Sequence, residues 1–263
     1  MKYIIVAKHI VFLSCFMRFI IHHIDQVDST NNYVFELCKK AKVEEGIVYV
    51  ANEQYAGKGH NQNRWESKKG KNLTLSLVIH PNFIEPVQQF LITQFVSLAI
   101  TDLLKTLVNK NDVKIKWPND IYIGDSKVCG ILIQNSIVGN KIDYSIVGIG
   151  LNVNQREFYS EAPNPISILN CINEESNLNK LLNSLLGFIE NRYKQLNNKI
   201  DLTAIEDEYL MNLYRYKKAS EFIDNNGSFT GKIVGIGEYG RLIISTESGV
   251  LKQYNFKEIE FIL

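Results

Sequence analysis

Charge of one sign has no excess in this chain of 263 residues: 29 Lys and Arg stand against 28 Asp and Glu, a formal net charge of +1. That balance excludes a general electrostatic hold on nucleic acid or on an anionic membrane, so work on anions falls to local groups. Cysteine is sparse at four residues, Cys15, Cys38, Cys129 and Cys171. They form no C-x-x-C pair and have no histidine partner at zinc spacing. This excludes a disulfide framework and a cysteine-built metal site, and points to reduced thiols in a cytoplasm. Internal repeats, low-complexity tracts and coiled-coil heptads are absent as well. The start, MKYIIVAKHIVFLSCF, loosely imitates a secretory signal. Lys8 and His9 interrupt its apolar run, however, and the part from Ile10 is too short to cross a bilayer. Because Met17 opens a clean strand at 17–21, residues 1–16 read as an over-extended start or a flexible tail. What is present is ordinary for a globular protein: 45% hydrophobic and 22% charged residues, enough for one medium domain plus a small one.

After the first strand, Ser29 or Thr30 reads as the cap of a helix to about residue 42, with Val34, Leu37, Cys38 and Ala41 at i, i+3, i+4 and i+7. Strands at 47–52 and 73–79 flank a polar, glycine-bearing loop. Pro86 opens a long helix to about residue 108, and its stripe of Val87, Leu91, Phe95 and Leu98 with an apolar remainder predicts burial against a sheet. Strands at 113–116, 120–123, 128–138 and 142–152 follow, the last two joined by a Gly139-Asn140 turn. Pro163-Asn164-Pro165 marks a loop, and helices are expected at 178–197 and 202–214. Beyond Lys217 come five short strands, at 219–223, 229–236, 240–245, 250–254 and 260–263, parted by turn residues. That pattern predicts a small β-barrel.

The densest chemistry lies in mid-chain. Lys116-Trp117-Pro118-Asn119-Asp120 is followed by Lys127-Val128-Cys129-Gly130-Ile131-Leu132, with Gly124-Asp125-Ser126 as a hairpin turn between them. Such a hairpin brings the Asp120 carboxylate beside the Lys127 ammonium. A local reading competes, because Pro sets φ and Asn and Asp tolerate turn geometry. The loop from Gln54 to Trp65 is the second feature. Gly57 and Gly59 around Lys58 let backbone N–H groups approach an anion, Lys58 and Arg64 add charge, and Trp65 anchors the far end or stacks on a ligand. The spacing is not that of a Walker loop, and a mobile surface loop would look the same. Ser29-Thr30-Asn31 is most simply a helix cap, Gly148-Ile149-Gly150 a site of close strand packing, and Asn164-Pro165-Ile166-Ser167 a turn.

Taken in order, Ser29-Thr30-Asn31, Gln54, Gly57-Lys58-Gly59-His60, Arg64-Trp65, Lys116 to Asp120, Lys127, Gly130 and Gly148-Ile149-Gly150-Leu151-Asn152-Val153-Asn154 resemble the spaced motifs of biotin–protein ligases. The resemblance covers roughly residues 17–263. It implies an α+β fold: a mixed β-sheet with packed helices, similar to class II aminoacyl-tRNA synthetase and biotin–lipoate ligase cores, plus a Src-homology-3-like barrel. Residues 1–16 would then be the extension, 17–215 the catalytic domain and 216–263 the barrel. The implied activity is ATP-dependent: biotin is activated as biotinyl-5′-AMP with Mg2+ and passed to a lysine of a biotin carboxyl carrier protein, of acetyl-CoA carboxylase or a related carboxylase.

By the same resemblance Lys127 and Asp120 are the catalytic pair. Biotin is expected near Ser29, Thr30, Asn31, Gln54, Gly57, Lys58, Gly59, His60, Trp65, Lys127, Gly130, Leu132, Gly148 and Gly150. ATP is expected near Lys58, His60, Arg64, Trp65, Lys116, Asn119, Lys127, Asn152 and Asn154, with no resident metal. Two positions depart from the family's Gly-Arg-Gly-Arg. Lys58 keeps the charge but loses the bidentate fork, and His60 is largely neutral at pH 7 unless a phosphate raises its pKa. The departures bear on retention of the adenylate rather than on the reaction. Sixteen residues before Met17 cannot make a helix-turn-helix, so the expectation is a cytoplasmic, monofunctional ligase with neither DNA nor membrane as partner. A homodimer is left open. Two alternatives stand beside it: a lipoate or octanoate ligase or transferase of the same fold, in which the Lys116 to Asp120 motif is not expected, and a non-catalytic biotin-binding protein, against which Lys127 counts.

Overall fold

Strands of mixed direction form the centre of the molecule, for which the computed structural model describes residues 10–12 (backbone), 17–59, 64–110, 112–159, 164–197 and 202–262. Eight of them make one sheet: β1 (Ile10–Phe12), β2 (Phe19–Val27), β3 (Ile47–Gln54), β4 (Leu73–Ile79), β5 (Val113–Lys116), β6 (Asp120–Ile123), β7 (Ser126–Val138) and β8 (Lys141–Leu151). Their order is β1-β2-β3-β4-β8-β7-β6-β5. Only β2 and β3 pair in parallel, with helix α1 (Thr30–Lys40) as the crossover between them. Because β4 lies inside the sheet with both faces covered, all seven residues of LTLSLVI are buried, the polar Thr74 and Ser76 included.

Helix α2 (Phe90–Lys105) covers one face of the sheet, with α4 (Leu178–Asn197) and α5 (Leu202–Asn212) packed on it. Thirteen of the sixteen α2 residues are buried, which is why its sequence is apolar almost all round. Arg192 of α4 joins the three helices, donating to Asp102 of α2 at 2.7 Å and to Glu208 of α5 at 2.6 Å. On the opposite face α1 sets Val34 against Val78 and Ile146. The hairpin turn falls where the sequence places it, with Gly124 at φ +59°.

Several boundaries differ from expectation. Strand β2 runs on to Val27, α1 stops at Lys40, and the long helix begins as a 3-10 turn at Pro86–Gln88 before α2. The last helix ends at Asn212, where the Asn212 side chain donates to the Glu208 carbonyl. A five-residue helix, α3 (Ile168–Ile172), was not expected. It is started by a capping box in which the Ser167 hydroxyl accepts the Asn170 N–H at 3.2 Å while the Asn170 side chain accepts the Ser167 N–H at 3.1 Å.

The chain ends in a five-stranded antiparallel sheet of β9 (Ala219–Asp224), β10 (Gly227–Ile236), β11 (Leu242–Thr246), β12 (Leu251–Tyr254) and β13 (Glu260–Phe261). The order is β12-β11-β10-β9-β13, so among the described residues the expected barrel stays open between β12 and β13. Phe222, Ile233, Leu242 and Ile244 are fully buried and continuous with the main core. Trp117 fixes this sheet to the larger one: its indole N–H donates to the Gly240 carbonyl at 2.9 Å and its ring meets Phe256 edge-on at 5.2 Å. Gly240 is required twice over, by φ +81° and because a Cβ there would lie 2.3 Å from Phe90.

Candidate active site

The site begins with glycine on paired strands. Gly130 of β7 lies opposite Gly150 of β8, and Leu132 opposite Gly148, while β4 sets Thr74 beside Gly150 and Ser76 beside Gly148. Without side chains there, the sheet face carries a trough. The Trp65 indole fills part of it: a Cβ on Gly150 would come within 2.4 Å of the ring, and one on Gly130 within 3.1 Å. Asn31 lies over Gly148, where a Cβ would sit 2.2 Å from its amide oxygen. Close strand packing is thus a real part of why these glycines are there, and the space they leave belongs to the site.

Asn31 is held in place by donating to the Leu132 carbonyl at 3.0 Å and by accepting from Ser76, whose hydroxyl also reaches Thr30 at 2.8 Å. Gln54 accepts from the Thr30 N–H at 2.7 Å and from its hydroxyl at 3.1 Å. Ser29 occupies the cap position of α1 but makes no side-chain cap bond; the simple helix-cap reading therefore gives way to a buried polar corner facing the cleft.

The far wall is the β6–β7 hairpin. Lys127 Nζ and the Asp120 carboxylate are 2.7 Å apart, each side chain 22% exposed. The Lys127 backbone is locked on both sides, donating to the Asn164 carbonyl at 2.8 Å and accepting from the Ile166 N–H at 2.9 Å. Asn119 and Ile131 exchange a similar pair: the Asn119 side-chain amide donates to the Ile131 carbonyl at 2.6 Å and the Ile131 N–H to the Asn119 carbonyl at 2.9 Å. Lys127 also stands 5.7 Å from the centre of the Trp65 ring. Between the walls lies a cleft of about 680 Å³, within the range of small-molecule sites. Leu132 stands beside the glycines on this face, and Lys58, Gly59 and Arg64 stand at the loop side.

The structure thus brings Ser29, Thr30, Asn31, Gln54, Lys58, Gly59, Arg64, Trp65, Asn119, Asp120, Lys127, Gly130, Leu132, Gly148, Gly150 and Asn152 to one cleft. Three expected residues lie elsewhere. Lys116 points to the C-terminal sheet, with its ammonium 3.2 Å from the Tyr122 hydroxyl and 5.2 Å from the Phe261 ring; burial lowers its pKa and the Asp120 carboxylate opposes that shift. Asn154 spends both amide ends on the Ser176 backbone, at 2.9 Å each. Gly57 closes the base of the loop, accepting the Trp65 N–H at 2.9 Å. His60 lies outside the described residues. Glu66, Leu75 and Phe158 line the cleft without having been singled out, while Ile149 and Pro165 join it from the Gly148–Gly150 and Asn164–Ser167 segments. Alternation along β4 and β8 turns the Leu75 and Ile149 side chains into the core on the other face, so they meet the cleft only at its base, whereas Glu66 and Phe158 come to it through the fold.

Two buried polar atoms, Trp65 Nε1 and Asn152 Oδ1, have no partner among the described residues and face a cleft with space for a ligand to supply one. No group of three or more His, Cys, Asp or Glu among the described residues could hold a metal ion. Cys129 is fully buried and its thiol is pushed up by that burial, which makes it inert as a nucleophile.

A family model described as the biotin/lipoate A/B protein ligase family matches residues 23–152, and one described as the biotin protein ligase C-terminal domain matches residues 221–261. The chain belongs to the biotin/lipoate protein ligase family. It is 28% identical over 238 residues to the bifunctional ligase/repressor BirA of Bacillus spizizenii, covering 88% of this chain and 71% of that protein. With the biotin–[acetyl-CoA-carboxylase] ligase of Paracoccus denitrificans it shares 33% identity over 132 residues, 49% of this chain and 52% of the other. Among solved structures, the biotin protein ligase of Aquifex aeolicus in complex with biotin and ATP superposes with a TM-score of 0.74 at 26% identity, over 91% of this chain and 97% of that one. The mixed sheet, its helices and the C-terminal sheet are the fold of this ligase family.

Proposed function

We propose that this ligase joins biotin to ATP as biotinyl-5′-AMP and then transfers the biotinyl group to one lysine of a biotin carboxyl carrier protein. The observation that carries the reading is the Asp120–Lys127 pair at 2.7 Å beside the glycine trough that holds Trp65. In the first step an oxygen of the biotin carboxylate attacks the α-phosphate of ATP and pyrophosphate leaves. Two anions must meet, so cations fixed in advance lower the barrier. Lys127 is assigned to the carboxylate and α-phosphate, and Lys58 and Arg64 to the remaining phosphates. Magnesium, bound to the phosphates, would supply further charge neutralisation.

In the second step the neutral amine of the acceptor lysine attacks the acyl carbon of the mixed anhydride, AMP leaves, and the amine's proton is lost. Asp120 is assigned to orient that amine and take the proton. Thr30, Asn31 and Gln54 form the polar corner for the ureido end of biotin, and the trough accepts its ring system. Asn152 is assigned to the nucleotide side. The consumption of ATP and the free thiols of Cys38, Cys129 and Cys171 support a cytoplasmic location.

The test is mass spectrometry of a biotin carrier domain incubated with the protein, biotin and Mg-ATP. One biotinyl group gained, and none when ATP is omitted, is the expected result. No gain with biotin, or a gain with lipoate in its place, would sink the proposal.

A further inference from the structure

One clamp beside the cleft has no part in the scheme above. Glu66 directly follows Trp65 and reaches over to the stretch after β8. Its carboxylate accepts the Tyr159 backbone N–H at 3.1 Å on one oxygen and 2.9 Å on the other, and the Gln155 side-chain N–H at 2.9 Å. Gln155 is 2% exposed and turns its own oxygen the other way, accepting the Lys68 N–H at 2.8 Å and the Asn72 side-chain N–H at 2.7 Å. Asn72 in turn accepts the Val153 N–H at 2.9 Å. The chain leaving the loop and the chain leaving β8 are therefore bonded to each other at several points. Trp65 stands immediately before this clamp, over Gly130 and Gly150, and Phe158 lies within it, lining the cleft.

We propose that Glu66 is a positioning residue: it holds Trp65 on the Gly130–Gly150 trough and Phe158 at the cleft, and so sets how long the adenylate stays bound. The inference rests on the biotin-adenylate reading of the cleft. All the partners above are N–H donors, which suits a carboxylate because it accepts at both oxygens and donates at neither. Charge on the acceptor strengthens each bond. An amide of the same shape keeps one accepting oxygen but turns an N–H toward Tyr159 or Gln155, donor against donor. With the clamp weakened, Trp65 and Phe158 move independently, water reaches the mixed anhydride, and the adenylate escapes.

The experiment compares the full chain with Glu66→Gln in the absence of an acceptor, following two quantities: pyrophosphate exchange at saturating biotin and ATP, and appearance of biotinyl-5′-AMP and its hydrolysis products in solution after excess substrate is removed. Wild type should form and retain the adenylate. Glu66→Gln should lose it on the order of tenfold faster, the loss expected for one charge-assisted bond, with exchange changed by less than about threefold. Glu66→Asp, which keeps the charge, should recover part of the retention. An unchanged escape rate overturns the assignment, as does a parallel fall in exchange and melting temperature, which would mark a merely structural role. Absence of adenylate from wild type would instead overturn the underlying reading, and the inference with it.

Discussion

Asp120 and Lys127 stand on paired strands, whereas Lys58 and Arg64 stand on a loop, and the two sets of charges are held very differently. Lys127 is pinned by backbone bonds to Asn164 and Ile166 and by its ion pair, with the side chain 22% exposed. Across the cleft, Lys58 and Arg64 face each other in an isolated bridge and are exposed, Arg64 reaching the Tyr55 carbonyl at 3.3 Å. A charge fixed before the substrate arrives needs no reorganisation during reaction, so it lowers the barrier most. A charge on a loop gives up conformational freedom when it engages a ligand, so part of its attraction is offset. On the proposed mechanism the strand wall is the place for chemistry, and Lys58 and Arg64 serve to hold the phosphates.

The sharpest way to break this comparison is to remove one cation from each side. Lys127→Ala is expected to slow adenylate formation on the order of 10²-fold or more in pyrophosphate exchange. Lys58→Ala should cost clearly less, about tenfold, and equal losses would show that the loop carries as much of the barrier as the hairpin. Next in size, Asp120→Asn is expected to reduce amine transfer about 10²-fold in single-turnover labelling of a carrier domain, while adenylate formation falls only a fewfold. A defect confined to adenylation would move Asp120 out of the second step. Gly150→Ala sharpens the comparison from the sheet side. Its added methyl would sit 2.4 Å from the Trp65 ring, so biotin affinity by calorimetry should fall roughly tenfold, the scale of an overpacked site. Unchanged affinity would mean that the indole shifts freely and that the trough is not a fixed wall.

The two regions also differed in how far the sequence disclosed them. The Asp120–Lys127 hairpin was legible because its information is local: alternating strands, a glycine turn and charges at fixed register. Leu178–Asn197 was legible for the same reason, since its apolar stripe repeats over five turns. Helix α3 was hidden by being too short to show periodicity, and its capping box looked like turn chemistry. Lys116 was expected near ATP together with Asn119, from the same short motif as Asp120. In the structure its side chain and that of Trp117 face the C-terminal sheet, while Asn119 and Asp120 face the cleft. The cause is a partner 123 residues further along the chain, Gly240, which no local pattern announces. Glu66 escaped notice similarly, since its partners Gln155 and Tyr159 lie 89 and 93 residues further along the chain.

The Trp117 bond to Gly240 has a consequence for how the molecule comes apart. Residues at one end of a tight turn cannot open while those at the other end are anchored in a buried core, and here that core is shared by both sheets. Fluctuations of the C-terminal strands and of the Asn119–Asp120 tip therefore belong to one cooperative unit, with similar protection of their amides against exchange. A ligand that tightens the tip is expected to slow amide exchange in strands it never touches.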